Sequence, residues 1–234
     1  MDYVEVARSE SERGEVVLRE RVDPGDQHGL RVLELRVNGV FVMDTLETAT
    51  ERQLAVAALA QVDEPRAVVI GGLGLGFTLR EVLADHRVER VAVVEIEDSL
   101  VQWMRDGTVP HGPAVLADER LTVITADIRM AMAEATPAAY DLVLLDVDNG
   151  PGYLVYDDNA AVYQETFLAQ VAAALRPGGT VVVWSAAEAT ELAEALETVF
   201  GNVAPVPHDV VLRPGSGPDA PARTEQYWLY LSRR

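Results

Sequence analysis

From Arg66 onward the chain alternates short, unbroken apolar runs with longer stretches of helical period. The runs fall at 67–70, 90–94, 121–125, 141–145 and 180–184. An apolar run without polar alternation marks a strand buried on both faces, as in a parallel sheet covered by helices. The stretches between and after them predict helices at 77–85, 97–106, 129–135, 158–175 and 187–199, the fourth ended by Arg176-Pro177-Gly178-Gly179. Two extended stretches follow, 203–212 and 226–231, joined by the Gly- and Pro-rich loop Pro214–Arg223; strands joined without a helix pair antiparallel. The N-terminal part reads differently. Residues 15–18 and 31–37 predict strands, with a turn at Asp23-Pro24-Gly25-Asp26 between them. Asn38-Gly39 before Val40-Phe41-Val42-Met43 is a hairpin signal. Thr48-Ala49-Thr50-Glu51 has the spacing of a capping box and opens a helix through Leu54, Ala55, Ala58 and Leu59.

A parallel sheet closed by an antiparallel hairpin is the plan of class I methyltransferases. The expected class is therefore α/β: a Rossmann-like class I methyltransferase fold with a mostly parallel seven-stranded sheet and an antiparallel C-terminal hairpin, preceded by a small N-terminal β-hairpin sheet. The expected division is a hairpin subdomain over 1–46 and a nucleoside-binding catalytic domain over 47–234. The 234 residues suit one large α/β domain, and the 49% hydrophobic content supplies a sizeable core. No run approaches the roughly 18 apolar residues of a membrane span, so no membrane partner is expected. Met1-Asp2-Tyr3-Val4-Glu5 lacks the basic-then-apolar pattern of a signal peptide. The absence of cysteine excludes disulfides, thiolate zinc sites and a cysteine nucleophile, and fits a cytoplasmic protein. All 19 basic residues are arginine, which excludes Schiff-base chemistry on lysine. A net charge of −19 argues against nucleic acid as a partner. The acidity either serves solubility or draws in cations, polyamines among them.

The candidate chemistry sits where strands end, because ligands of open α/β sheets bind beyond the carboxyl ends of the strands. Gly72, Gly74 and Gly76 form a Gly-x-Gly-x-Gly turn directly after the first parallel strand. Glycine there lets the backbone turn sharply and approach a ligand closely. A nicotinamide fingerprint would need glycine at Phe77, so the spacing points from NAD toward a sulfonium nucleoside. Glu95, at the end of the second strand, is placed to accept ribose hydroxyls, and Ile96 to pack on adenine. Asp127 either accepts the adenine amino group or caps the next helix. Asp146 and Asp148 share a face if the chain stays extended past the fourth strand. A carboxylate there can take or orient the proton of an attacking amine, while one of the two can instead cap a turn. Tyr153 and Tyr156 are candidates for the acceptor pocket; Tyr163 and Trp184 are expected in the core. His28, His86, His111 and His208 have no metal-binding spacing, and no metal is expected.

The stretch from Val68 to Val82 around this turn resembles the spermidine synthase (polyamine aminopropyltransferase) family, as do Val93-Val94-Glu95-Ile96-Glu97, Tyr140 to Asp146 with Gly150-Pro151, and the N-terminal hairpin sheet. The resemblance implies S-adenosylmethionine or its decarboxylated form as co-substrate, without a metal. It also implies a small acceptor, a cationic amine among the candidates, and a homodimer. By it Glu95 binds the ribose, Asp127 the adenine, and Asp146 prepares the amine. The pattern departs in four places. Leu75 stands where the family has an aspartate holding the donor's amine, Val42 replaces a glutamine, Thr50-Glu51 stands in place of a Tyr-His pair in the following helix, and an Asp-Ser-x-Asp-Pro loop is shortened to Asp146-Val147-Asp148-Asn149. Aminopropyl and methyl transfer both follow as readings, with a non-catalytic nucleoside-binding or regulatory protein as the alternative.

Overall fold

The computed structural model describes residues 3–22, 31–212 and 223–234. The turn expected at 23–26, His28 and all but the last residue of the Pro214–Arg223 loop lie outside the described residues. Four strands, β1 (Tyr3–Ser11), β2 (Gly14–Val22), β3 (Arg31–Val37) and β4 (Val40–Asp44), form an antiparallel sheet in chain order. The Asn-Gly signal holds: Asn38 (φ 51°) and Gly39 (φ 75°) both take the left-handed conformation that a tight hairpin turn needs. β1 was not foreseen in the sequence. Its side chains are almost all exposed, so it carries no apolar period to read.

The larger sheet is built from β5 (Ala67–Gly71), β6 (Arg90–Glu95), β7 (Leu121–Thr125), β8 (Tyr140–Leu145), β9 (Leu175–Ser185), β10 (Ala204–Leu212) and β11 (Arg223–Arg233). Its order is β10-β11-β9-β8-β5-β6-β7. β5 to β9 pair in parallel, and β11 pairs antiparallel with β9 and β10, as expected. The runs of β5 and β8 are buried on alternating sides: Val68, Ile70, Leu142 and Leu144 join one core, Val69, Val143 and Leu145 the other. The run of β7 departs from the expectation of burial on both faces: at the sheet edge it has no buried residue. The inner face of the small sheet (Val16, Leu18, Leu33, Leu35) is continuous with the first core.

The helices are α1 (Ala49–Leu59), α2 (Phe77–Ala84), α3 (Asp98–Asp106), α4 (Gly112–Leu116), α5 (Ile128–Ala133), α6 (Glu165–Ala174) and α7 (Thr190–Phe200). Two local expectations are corrected. The capping box at 48–51 does not form. Thr48 makes no side-chain cap, Glu47 accepts the Ala49 N–H instead, and Glu51 accepts from Thr50 Oγ1. The helix expected over 158–175 is a 3₁₀ turn (Asp157–Tyr163) and then α6, broken where Gln164 is extended. The Asn159 amide is drawn to Asp148, which holds this first segment in a turn of its own rather than in register with α6. The short α4 carries too little period to be read.

Candidate active site

β5 is flanked by β6 and β8, and the chain crosses from β7 back to the far side of β5. The strand order therefore reverses between β5 and β8, the place where such sheets open a crevice. A cleft of about 1290 Å³ lies there. The expected site residues line it in sheet order: Asp127 after β7, Glu95 and Ile96 at β6, Gly72 and Gly74 after β5, Asp146 and Asp148 after β8, with Tyr153 and Tyr156 on the loop beyond. Gly76 is not in the lining; it caps α2 with φ 82°, its α-carbon facing Met104.

The turn is laced to both neighbouring strands. Gly72 N donates to Val94 O (2.8 Å), and Asp146 N donates to Gly71 O (2.9 Å). Leu75 lies inside this turn, but its side chain is buried in the core and does not line the cleft. Its N–H meets Met43 Sδ at 3.1 Å and its carbonyl lies 2.6 Å from His111 Nε2. So Leu75 withholds a charge from the site without putting an apolar group into it.

On the β6 side Glu95 is buried, and its two oxygens accept the Leu73 and Glu97 N–H groups at 2.8 Å each. Burial pushes its carboxyl up, against those hydrogen bonds. Glu97, also buried, accepts from Arg13 Nε (2.8 Å) and Tyr156 Oη (3.0 Å). Arg13 further donates to the Ile96 carbonyl at 2.9 Å. A residue of the β1–β2 turn thus reaches the edge of the expected nucleoside site. Asp127 takes the capping alternative: it accepts from Arg129 N (2.8 Å) and pairs with the Arg129 guanidinium, which holds its carboxyl below the usual range.

On the β8 side the chain bends at 147–149 rather than staying extended, so the two aspartates part. Asp146 turns to Thr78, whose hydroxyl donates to Oδ2 at 2.9 Å, and burial pushes its carboxyl up to about 6. Asp148 accepts from the Asn149 and Val155 N–H groups and the Asn159 amide, and so organises the loop. Glu51, in the first turn of α1, lines the same cleft; burial, and then the charge of Asp146, push it up to about 7. Tyr227 on β11 closes this end, stacked on Trp184 (6.3 Å between centroids) and on His208 (5.2 Å). Burial and then the charges of Glu51 and Glu47 raise its hydroxyl to about 12. Trp184, expected in the core, packs against it and also lines the cleft. Tyr163 is buried in the core, as expected.

Arg13, Glu51, Glu97 and Tyr227 were not read from the sequence as site residues, Glu51 having been read as part of a helix cap. Glu97 had a signal, two residues past Glu95 in a Val-Glu-Ile-Glu run; the others are brought in by long-range packing. The lining is strongly acidic: Glu47 and Glu225 join the carboxylates already named, and its arginine, Arg21, is bonded to Asp44 at 3.1 Å. Among the described residues there is no cluster of metal-ligating side chains, and no helix is long and apolar enough to cross a membrane.

A family model described as the spermine/spermidine synthase domain matches residues 47–207. The chain belongs to this family. This spermidine synthase relative is 31% identical over 198 residues to polyamine aminopropyltransferase 2 of Pseudomonas aeruginosa, covering 73% of this chain and 54% of that protein. It is 33% identical over 125 residues to putrescine N-methyltransferase 3 of Nicotiana tabacum, covering 53% of this chain and 31% of that one. The chain spans about half the length of the first relative and less of the second. Its backbone matches a spermidine synthase crystal structure, in complex with the transition-state analogue AdoDATO, at a TM-score of 0.78 and 16% identity, covering 98% of this chain and 73% of that one. That likeness is one of fold. The relatives of this chain thus include both aminopropyltransferases and methyltransferases.

Proposed function

We propose that the chain transfers an aminopropyl group from decarboxylated S-adenosylmethionine to a small cationic amine. The observation that carries this reading is the acidic cleft, with the buried Asp146 in its lining and its lining arginine already bonded to Asp44. Such a cleft attracts a donor carrying sulfonium and ammonium charges and disfavours one that also carries a carboxylate. In this reading the adenosine lies over the Gly72–Gly74 turn, with Glu95 at the ribose and Ile96 and Asp127 at the adenine. Arg129 and the helix N–H occupy part of the Asp127 carboxylate, which leaves it a lesser part of the recognition.

The chemistry asked of the protein is small. The acceptor's ammonium passes a proton to the Asp146 carboxylate, and the freed nitrogen lone pair attacks the carbon next to sulfur. The carbon–nitrogen bond forms as the carbon–sulfur bond breaks, and the sulfur leaves as a neutral thioether nucleoside. Asp146 then returns its proton to solvent. Holding donor and acceptor in line supplies most of the acceleration, and the carboxylate adds roughly 10²–10⁴-fold. Asp148 serves by holding the loop that carries Tyr153 and Tyr156.

One observation favours methyl transfer from S-adenosylmethionine instead: with Leu75 buried in the core, no carboxylate side chain stands at that position of the turn to hold an aminopropyl ammonium. Calorimetric titration with S-adenosylmethionine, its decarboxylated form, methylthioadenosine and NAD separates the readings. Preference for the decarboxylated form supports aminopropyl transfer, and preference for the parent compound supports methyl transfer. Binding of none of the sulfur nucleosides would end both. In the Asp146→Asn variant nucleoside affinity should persist while turnover falls about 10²-fold or more; unchanged turnover removes Asp146 from the mechanism.

A further inference from the structure

The reaction just described uses one carboxyl group at the acceptor end, yet the fold brings a second one to it. Glu51 reaches the cleft from α1, and Asp146 from the end of β8. Buried Thr78 ties the two segments together, its hydroxyl 2.9 Å from Asp146 Oδ2 and 3.2 Å from the Glu51 carbonyl oxygen. The Glu51 carboxyl accepts from Thr50 Oγ1 at 2.7 Å and from its own backbone N–H. The titratable groups facing it are Asp146, Glu47 from the segment before α1, and Tyr227 from β11. All are acids. Arg21, the arginine of the lining, is engaged by Asp44, so no cation of the described chain neutralises the pair.

Two carboxylates in a recessed site without a counter-charge cannot both ionise freely, and they titrate as a unit. Near neutral pH the unit holds on to a proton, since Asp146 is raised to about 6 and Glu51 to about 7. A cation entering between them removes both causes, desolvation without a partner and mutual repulsion. Tyr227 and Trp184 add aromatic faces beside the carboxyls, suited to the methylenes and charge of an alkylammonium.

We propose that Glu51 is a specificity residue for the acceptor: an alkylammonium group lodges between its carboxyl and that of Asp146, beside Tyr227, and its arrival expels a proton from the pair to solvent. The inference rests on the proposed transferase reading and deepens it. It makes amine recognition proton-linked and assigns the linkage to a residue outside the turn motifs. The charge balance is simple: one ammonium enters, one carboxyl ionises, and one proton leaves.

The test uses the full chain saturated with methylthioadenosine, titrated with 1,4-diaminobutane and, as a neutral control, 1,4-butanediol. Calorimetry near neutral pH in two buffers of different ionisation enthalpy counts the protons released. The wild type should release about half a proton or more per diamine, and none with the diol. Its diamine affinity should rise between about pH 6 and pH 8, although the diamine stays charged throughout. Glu51→Gln should lose this proton release and the rise in affinity, binding the diamine roughly tenfold more weakly at the alkaline end. The variant's methylthioadenosine affinity, expected to match the wild type, checks that it is folded. Undiminished proton release in Glu51→Gln overturns the inference, and so does diamine binding that is absent or independent of pH. Failure of methylthioadenosine itself to bind counts against the transferase reading, which keeps the two failures apart.

Discussion

A β-carbon added at Gly72 would sit 2.0 Å from the carbonyl oxygen of Asp146, a backbone atom held by β8 that cannot move without displacing the strand. The residue also has φ 93°, outside the range that side-chain-bearing residues adopt readily. At Gly74 the nearest obstacle is Met43 Sδ at 2.7 Å, in a flexible side chain, and φ is 50°, within the left-handed region. Identical substitutions should therefore behave differently. Gly72→Ala should destabilise the chain by about 2–3 kcal/mol and weaken nucleoside binding, because the strain falls on the Asp146 backbone itself. Gly74→Ala should cost about 1 kcal/mol. Denaturant unfolding of both variants beside the wild type measures the difference, and equal losses would mean that the turn does not press on β8. The glycine pattern was legible in the sequence because the backbone dictates it. The direction of Leu75 was not, since a leucine between glycines can face either cleft or core.

At the scale of elements, the nucleoside end of the cleft is latched by three separate segments. Arg13 comes from the β1–β2 turn, Glu97 from the β6–α3 junction and Tyr156 from the loop after β8, and both others donate to one oxygen of Glu97. Removing Arg13 leaves the buried Glu97 with Tyr156 alone and unties the small sheet from Ile96. Arg13→Ala should therefore weaken nucleoside binding roughly tenfold while changing turnover at saturating donor by less than about twofold; an unaltered dissociation constant would show the latch to be a surface ion pair only. The latch also marks the boundary of what the sequence discloses. The central parallel strands β5 and β8 were legible because each is a nearly continuous apolar run, and the hairpin because Asn38-Gly39 demands a particular turn. The carboxylates at strand ends were legible because the fold fixes where such ends point. Arg13 and Glu97 lie 84 residues apart, however, and β1 has no buried face, so neither local period nor spacing could reveal their contact. Thr48 and Glu51 looked like a capping box for a related reason: a glutamate three residues past a threonine reads the same whether it turns back to the backbone or toward the cleft.

For the molecule as a whole, the cleft sets a pH dependence opposite to that of an ordinary acid-labile protein. Asp146, Glu51 and Glu95 have carboxyls raised by burial in the folded chain. A group raised on folding contributes stability that is full below its unfolded value and is lost as pH climbs through the folded one. For Asp146 the window runs from 3.8 to about 6, and for Glu51 from 4.5 to about 7. Across it each ionisation removes on the order of 2–3 kcal/mol. Asp85, Asp118 and Asp127, held low by neighbouring arginines, act the other way: their contribution is present above the ordinary carboxylate range and disappears in stronger acid. The net charge of −19 adds self-repulsion that also grows as the carboxylates ionise. Stability should thus peak near about pH 5 and decline toward pH 8. Salt separates the two causes, since roughly 0.5 M salt screens charges on the surface far more than those in the recessed cleft. Scanning calorimetry across this range should show a melting temperature that still falls with pH at high salt. The fall should flatten in Asp146→Asn, which cannot ionise, and in the wild type with a bound diamine, which compensates the charge. A decline abolished by salt alone would assign the dependence to the surface, and a melting temperature that climbs from pH 5 to 8 would mean that these carboxyls are not raised by folding.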